Sequence, residues 1–174
     1  NMQAWEIERD AAARKGGLLV VFGRRRVGKS RMLRHWLQSR GGMYSQAVEG
    51  PVDMQLQQLM ADIRPQLGTQ IMPKSWAEFL EVLAMQKKPW VLCLDELPYL
   101  TSVDASLPSQ LQKWLDHSIP RGCLLILAGS RTAMMNDLFL NRAAPLYGRA
   151  QKLINLRPMD YAAFCEACGQ KPGD

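Results

Sequence analysis

A short segment near the start of the chain combines residue types that together hold phosphate. Residues 23–30 read GRRRVGKS and fit the pattern G-x-x-x-x-G-K-[ST]. The glycines let backbone N–H groups converge on phosphate oxygens, and Lys29 is spaced to reach the β- and γ-phosphates. The Ser30 hydroxyl is a hard oxygen ligand of the kind that Mg²⁺ accepts. These residues, the phosphate loop, therefore predict a polyphosphate site with a ligand for magnesium.

The arginines of this segment admit two interpretations. We expect the nucleotide to contact Gly23, Arg24, Arg25, Arg26, Val27, Gly28, Lys29, Ser30 and Arg31. For the three consecutive loop arginines, a solvent-facing side chain is favoured over direct phosphate contact. The net charge of +6 fits a bound polyphosphate in part, and a DNA partner is the alternative explanation.

Two adjacent carboxylates follow an apolar run farther along the chain. Asp95 and Glu96 come directly after residues 90–94, which read WVLCL. An aspartate there holds Mg²⁺ directly or through water, and a glutamate one position later orients or deprotonates the attacking water. The pair predicts hydrolysis rather than binding alone. The alternative interpretation of the pair is a solvated cap or turn without a role in chemistry, which the presence of the phosphate loop disfavours.

Two further polar residues are candidates for the same chemistry. Ser130 follows the apolar run 124–128, where its side chain would lie near the γ-phosphate or the attacking water. The other interpretation of Ser130 is the N-cap of a helix through Met134 and Met135. Arg149 follows a glycine before the last strand, and its guanidinium would stabilise charge within the chain or across a subunit contact. A surface arginine is the alternative, and Arg131 is a weaker candidate than Arg149.

The elements that must position these residues alternate between strand and helix. Strands are predicted at residues 17–22, 43–48, 90–94, 124–128 and 152–156, as apolar runs bounded by turn residues. Helices are predicted at 29–40, 54–67, 76–85 and 107–115, with others through Met134 and between Pro158 and Gly169. A polar helix-like segment precedes Gly16. Such alternation indicates a parallel α/β sheet.

Length and composition limit the remaining classes of protein. With 174 residues, 47% of them hydrophobic, the chain predicts one domain over residues 1–174. Its apolar runs are far shorter than the roughly 20 residues that cross a membrane, and no targeting segment is recognised. Four cysteines without regular spacing favour a reducing, cytoplasmic location. Cys165 and Cys168 have the spacing of half a zinc site, but no second cysteine pair completes it.

The motifs taken together resemble the archaeal-type ATPase family. The resemblance lies in residues 23–30 (GRRRVGKS), 94–100 (LDELPYL), 128–130 (AGS) and 145–149 (PLYGR). This family belongs to the additional-strand, catalytic-glutamate class of P-loop ATPases, near the AAA+ and STAND proteins. The resemblance implies a three-layer α/β P-loop NTPase fold. It further implies a five-stranded parallel sheet in the order 5-1-4-3-2, flanked by helices.

The resemblance also implies roles for single residues. Lys29 and Ser30 look like Walker A, Asp95 and Glu96 look like Walker B and the catalytic base, and Ser130 looks like sensor 1. Arg149 looks like the arginine of the family's PLYGR element. The segment at residues 5–9 matches the family's adenine-holding Arg-Glu element poorly. Because family members continue into a helical and winged-helix region, we interpret the chain as an ATPase core cut from a longer protein.

Three functions follow from these residues. The first is an Mg²⁺-ATP hydrolase that drives conformational change or assembly, with a homo-oligomer and a DNA or protein client of the C-terminal region as partners, and no membrane. The second is a nucleotide-dependent switch or DNA-binding regulatory module with little turnover. The third and weakest is a small-molecule kinase. GTP is disfavoured, because D-x-x-G does not follow the strand and N-K-x-D is absent from the chain.

Overall fold

Five strands form one parallel sheet within residues 16–158, the part of the chain that the computed structural model describes. They are β1 (Gly17–Phe22), β2 (Met43–Gln46), β3 (Val91–Asp95), β4 (Leu124–Gly129) and β5 (Lys152–Asn155). The strand order is β2-β3-β4-β1-β5, and each neighbouring pair is parallel. Read from the other edge, this order is 5-1-4-3-2, which confirms the one that the resemblance implied.

The sheet is covered on both faces, as its apolar strands require. Successive side chains of a strand point to opposite faces. In β1, Leu18, Val20 and Phe22 therefore enter one core cluster while Leu19 and Val21 enter another. Every residue of β1 and of β4 is buried. Each buried leucine or valine side chain stabilises the fold by about 1.5–3 kcal/mol, so these two strands anchor the domain.

The helices make the two outer layers of the fold. They are α1 (Lys29–Gln38), α2 (Val52–Leu67), α3 (Trp76–Ala84), α4 (Leu97–Val103), α5 (Leu107–His117) and α6 (Thr132–Phe139). Helix α1 packs Leu33, Trp36 and Leu37 on the face that holds Leu19. Helices α2 to α6 bury their apolar side chains in the cluster on the opposite face. The predicted three-layer α/β class is confirmed.

The predicted elements differ from the structure in a few places. Strand β2 ends at Gln46 rather than Val48, and α4 was not predicted. Helix α4 has only seven residues, and Pro98 near its start suits a first turn because a proline N–H is not needed there. The predicted segments before Gly16 and after Pro158, with Cys165 and Cys168, lie outside the described residues.

The parallel arrangement brings the candidate residues to one edge of the sheet. The phosphate loop follows β1, Asp95 ends β3, and Ser130 follows β4. These three strands are β1, β3 and β4, which are neighbours in the order β3-β4-β1. In open α/β sheets, ligands bind outside the carboxyl ends of the strands. This carboxyl edge is therefore where a site is expected.

Candidate functional site

The phosphate loop is shaped by glycines at two positions where a side chain would be costly. Gly23 has φ of 154°, and a Cβ there would lie 2.2 Å from the Leu156 carbonyl oxygen. Gly28 has φ of 90° and forms the N-cap of α1 in the left-handed region, which glycine adopts without steric cost. The loop thus turns directly from β1 into α1. The first N–H groups of α1, which have no partner within the helix, face the loop.

Lys29 is the buried cation of the loop. Only 5% of its surface is exposed, although lysine is seldom buried without a partner. Its Nζ donates hydrogen bonds to the carbonyl oxygens of Gly23 at 3.0 Å and Arg24 at 3.2 Å. These carbonyls carry partial charges only. The geometry therefore holds a full positive charge at the centre of the loop, where an anion would match it.

Asp95 joins the phosphate loop to β3 by direct contact. Its carboxylate is completely buried. The Oδ2 atom accepts hydrogen bonds from the Ser30 hydroxyl at 2.5 Å and the Tyr44 hydroxyl at 2.6 Å, and Oδ1 accepts one from the Glu96 N–H at 2.9 Å. Ser30 and Asp95 are 65 positions apart in the sequence. The structure thus brings together two residues that the sequence analysis placed in one metal site.

Tyr44 is a site residue that the sequence analysis missed. It lies on β2, where its Cα pairs with that of Cys93 on β3. Burial, and then the hydrogen bond that it donates to Asp95, raise the pKa of the Tyr44 phenol far above its usual value. The phenol keeps its proton at neutral pH and donates it in the hydrogen bond to Asp95. The adjacency of β2 and β3, combined with a tyrosine one residue into β2, is the signal that points to it.

Glu96 adopts a backbone conformation that is uncommon for a residue with a side chain. Its φ is 59° and its ψ is 44°, in the left-handed region, which costs a non-glycine residue roughly 1–2 kcal/mol. Its Oε2 accepts hydrogen bonds from the Ser130 hydroxyl at 2.9 Å and the Ser130 N–H at 3.2 Å. The turn directs the Glu96 side chain away from the adjoining Asp95 and towards the end of β4.

Ser130 orients Glu96 and does not cap the following helix. Helix α6 begins at Thr132, and its N-cap position is taken by Arg131, which makes no side-chain capping bond. The N-cap interpretation of Ser130 is therefore wrong. Its hydroxyl and its N–H both bind the same carboxylate oxygen instead, and 8% of the residue is exposed. This contact with Glu96 was not predicted, and the place of Ser130 near the γ-phosphate or the attacking water stays a prediction.

A strongly basic cavity of about 460 Å³ opens at this edge of the sheet. Four of its lining side chains are cationic and one is a carboxylate. Its wall is formed by Arg25, Arg26, Gly28, Lys29, Ser30, Arg31, Gln46, Glu96 and Tyr99. Low-dielectric walls that carry one sign of charge raise the local concentration of an oppositely charged ligand. The cavity is thus suited to a polyanion, with one acidic group inside it.

A second cavity, of about 730 Å³, lies on the other side of the loop. It shares Arg26, Gly28 and Arg31 with the first cavity. The other lining residues are Val27, Met32, His35, Leu156 and Arg157. Arg24, Arg25 and Arg26 are all exposed, as expected for side chains that face solvent. The loop therefore separates a basic cavity from a larger one that has apolar and polar walls.

Tyr99, in the first turn of α4, is a second lining residue that the sequence analysis missed. Its hydroxyl accepts a hydrogen bond from the Arg25 guanidinium at 3.2 Å. The Arg131 guanidinium lies over the Tyr99 ring at 5.4 Å from its centroid, within the range of a cation–π interaction. Tyr99 thus holds two cations from different loops near the basic cavity. Because the sequence analysis did not predict α4, it could not place Tyr99 beside this cavity.

Arg149 lies near the amino ends of the strands, whereas the phosphate loop lies at their carboxyl ends. It precedes β5, whose first residue, Lys152, pairs with Leu19 near the start of β1. The length of β1 separates it from the loop by roughly 15–20 Å at 3.3 Å per residue. The Arg149 guanidinium instead contacts Asp116 at 3.0 and 2.8 Å and the Pro145 carbonyl at 2.7 Å. The structure does not bring Arg149 to the site of its own chain, so a role in charge stabilisation stays a prediction for a subunit contact alone.

Replacing Arg149 with glutamine is expected to lower the melting temperature at pH 7 by roughly 1–4 °C, because the partly exposed ion pair with Asp116 is lost. The hydrogen bond from Arg149 lowers the pKa of Asp116. The pair therefore stabilises the fold above the carboxyl's ordinary pKa, and this contribution disappears as the pH falls below about 4. Melting curves of the wild type and the variant from pH 3 to pH 7 measure the difference. Arg121→Gln, at an exposed arginine, is the control, and an equal loss at every pH would contradict the assignment.

The described part of the chain has few side chains that bind metal ions close to one another. Residues 16–158 contain no group of three or more His, Cys, Asp or Glu side chains arranged around one point. The Ser30 hydroxyl and the Asp95 carboxylate that accepts its hydrogen bond are oxygen donors of the kind that Mg²⁺ accepts together with water. Cys93 and Cys123 are buried free thiols.

Within residues 16–158, no helix has the length and apolar character that a bilayer crossing demands.

One protein family and one curated protein are similar to this chain in sequence. Residues 5–167 match the family described as an ATPase domain predominantly from Archaea. An uncharacterized protein of Methanocaldococcus jannaschii is 26% identical over 144 residues, which cover 82% of this chain and 31% of the relative. The chain thus spans about a third of the length of that curated relative.

Two solved archaeal structures share the fold of this chain. The Walker-type ATPase of Pyrococcus abyssi has a TM-score of 0.66 and 19% identity, covering 99% of this chain and 59% of the other. Cdc6p from Pyrobaculum aerophilum has a TM-score of 0.62 and 15% identity, covering 95% and 46%. At these identities the likeness establishes the fold alone. The family match extends over nearly the whole sequence, and the chain belongs to the family of ATPase domains found predominantly in Archaea.

Proposed function

We propose that this domain binds Mg²⁺-ATP in the basic cavity and hydrolyses it, with Glu96 as the general base. The observation that carries the proposal is the contact between Ser30 and Asp95, because it joins the phosphate loop to the carboxylates that end β3. A loop of this composition without that contact would support phosphate binding only. With it, a phosphate-binding cation, a metal ligand and a base share one cavity edge.

Phosphate binding rests on Lys29 and on the N-terminus of α1. The Lys29 ammonium is buried against the two loop carbonyls, and phosphate oxygens would give it full negative charges at the same place. Unpaired N–H groups and the positive end of the helix dipole add to the attraction. Arg25, Arg26 and Arg31 line the cavity and strengthen its positive field.

The residues around Ser30 fit a magnesium ion. When bound, the ion neutralises phosphate charge during transfer. Asp95 is fully buried, and Ser30 and Glu96 form the cavity wall beside it. We therefore assign Ser30 as the protein ligand and give Asp95 an indirect role, in which it orients the Ser30 hydroxyl by accepting its hydrogen bond.

Glu96 is the residue suited to activate water. Its Oε2 is held by Ser130, and the side chain lines the cavity that contains Lys29 and Ser30. A carboxylate fixed in this way needs little reorganisation to accept a proton from water next to the γ-phosphate. Ser130 thereby acts as the residue that positions the base.

The second cavity is suited to the nucleoside. Met32 and Leu156 supply apolar surface for a base, and His35 and Arg157 supply polar groups. Because this cavity meets the first one at Gly28, a nucleotide would pass over the loop from one to the other. We propose ATP as the nucleotide, since the chain lacks the guanine-specifying N-K-x-D sequence.

A thermal-shift experiment tests this proposal on the 174-residue chain. At a free ligand concentration of about 100 Kd, ATP with Mg²⁺ is expected to raise the melting temperature by roughly 5–10 °C. GTP at the same concentration is expected to give a clearly smaller shift. No shift with ATP would remove the proposal, whereas equal shifts with the two nucleotides would remove only the base preference.

A second candidate function is a nucleotide-dependent switch that binds DNA and turns over little. It is favoured by charge, since residues 16–48 include no Asp or Glu, and Arg31 and Arg34 are exposed on α1. DNA retention that falls steeply with salt, together with ATP binding and no phosphate release, would favour this function over hydrolysis.

A further inference from the structure

One oxygen of the buried Asp95 carboxylate accepts hydrogen bonds from hydroxyl groups on two different elements. Ser30, in the first turn of α1, and Tyr44, on β2, both donate to Oδ2. The Glu96 N–H donates to Oδ1. Three of the roughly four lone-pair directions of this carboxylate are therefore occupied, and both of its oxygens are held. Its orientation is fixed from α1, from β2 and from its own chain.

The orientation of Asp95 decides what the Ser30 hydroxyl offers to the cavity. A hydroxyl has one proton and two lone pairs. When the Ser30 hydroxyl donates its hydrogen bond to Asp95, the lone pairs of the Ser30 oxygen remain available to a cation. A carboxylate on an aspartate turns easily about its last torsion angle, because that torsion is broad rather than staggered. Tyr44 opposes this rotation by holding the same oxygen that Ser30 uses.

Tyr44 is itself held in place by α1. The Arg34 guanidinium lies over the Tyr44 ring at 4.5 Å from its centroid and donates to the Gln46 side chain at 3.4 Å. Ser30 and Arg34 are four residues apart on α1, so they share one face of the helix. The same helix face thus presents one residue to Asp95 and one to the ring that supports Asp95.

We propose that Tyr44 is a positioning residue for magnesium, acting through Asp95 on Ser30. The inference rests on the proposed Mg²⁺-ATP function and adds to it a residue from a strand that carries none of the ATPase motifs. Tyr44 does not touch the nucleotide in this role. Its hydroxyl keeps Asp95 turned so that the Ser30 lone pairs would remain available to the metal. In other metal sites, residues that hold a ligand in this way also fix its orientation.

The variant Tyr44→Phe tests the proposal, since it removes the hydroxyl and keeps the ring under Arg34. ATP affinity is measured by calorimetry with Mg²⁺ and with EDTA, and Mn²⁺ binding in the presence of ADP is followed by electron paramagnetic resonance. We expect the affinity gain due to Mg²⁺, and the Mn²⁺ affinity, to fall by about tenfold or more. Affinity in EDTA should change by less than about twofold.

Two further variants separate positioning from a merely structural effect. Tyr147→Phe makes the same change at an exposed tyrosine of the opposite edge and should leave the Mg²⁺ dependence unaltered. In the Asp95→Asn background, Tyr44→Phe should cause little additional loss, because the two residues act in series. An equal loss with Mg²⁺ and with EDTA, or an unchanged Mg²⁺ dependence, would overturn the role of Tyr44. Wild-type protein that binds no nucleotide would overturn the proposed function itself.

Discussion

Replacing Glu96 with glutamine is expected to stop ATP hydrolysis while ATP binding continues. General-base catalysis contributes about 10²–10⁴-fold to a rate, and glutamine does not accept the proton from water. Glutamine has the same shape, and its carbonyl oxygen still accepts the two hydrogen bonds from Ser130. We therefore expect the fold and the nucleotide site to remain intact. Phosphate release and ATP affinity, measured on the same preparation, check both parts.

Glu81→Gln is the matched control for this variant. Glu81 is an exposed carboxylate on α3, on the sheet face that α2 to α6 cover. Its replacement should leave both turnover and affinity at the wild-type level. Turnover by Glu96→Gln that matches the wild type would remove Glu96 as the base. A parallel loss of ATP affinity would instead indicate that Glu96 serves binding.

Replacing Lys29 with methionine is expected to abolish tight ATP binding. The Nζ atom makes two hydrogen bonds to loop carbonyls. If it makes two charge-assisted bonds to phosphate, worth about 1.5–3 kcal/mol each, their loss weakens binding by about 10²–10⁴-fold. Calorimetric titration with Mg²⁺-ATP measures the change. Methionine has a similar length, so the packing around the side chain is largely kept.

The thermal stability of the ligand-free Lys29→Met protein provides a second check. A buried ammonium is costly to desolvate, and methionine removes that cost, while the Gly23 and Arg24 carbonyls lose their donor. These effects oppose one another, so we expect only a small change in melting temperature. Lys113→Met, at an exposed lysine of α5, is the control and should bind ATP normally. Undiminished ATP affinity in Lys29→Met would contradict the placement of phosphate in the loop.

The strands that carry the site were predictable because they lie in the middle of the sheet. Every residue of β1 and β4 is buried, and a strand covered on both faces appears in the sequence as an unbroken apolar run. The edge strands β2 and β5 are only partly buried, so their signal was weaker and the predicted end of β2 was two residues too late. Edge strands lack one neighbour, and their sequences are constrained less.

The residues of the site were predictable where a motif fixes chemistry and position together. Lys29, Ser30, Asp95 and Glu96 stand next to strand or helix ends in the sequence, and the parallel sheet brings those ends to one edge. Tyr44 belongs to no motif, and Tyr99 lies within the segment 94–100 without an assigned role of its own. The contacts of both depend on elements distant in the chain. Arg149 shows the reverse case, in which a recognisable motif lies at the other edge. Arg149 precedes its strand, whereas the other candidates follow theirs, and in a parallel sheet the two positions lie at opposite strand ends.

The narrow gap between Gly23 and Leu156 couples the start of the phosphate loop to the residues that leave β5. The Leu156 N–H donates to the Phe22 carbonyl at 2.7 Å, and a methyl group on Gly23 would collide with the Leu156 carbonyl. No slack exists between the start of the phosphate loop and the residues that leave β5. A pull on the chain beyond Leu156 would therefore displace the loop, and a loop tightened by its ligand would push on that exit in return. The residues that leave β5 would therefore be the first to move when the phosphate loop shifts.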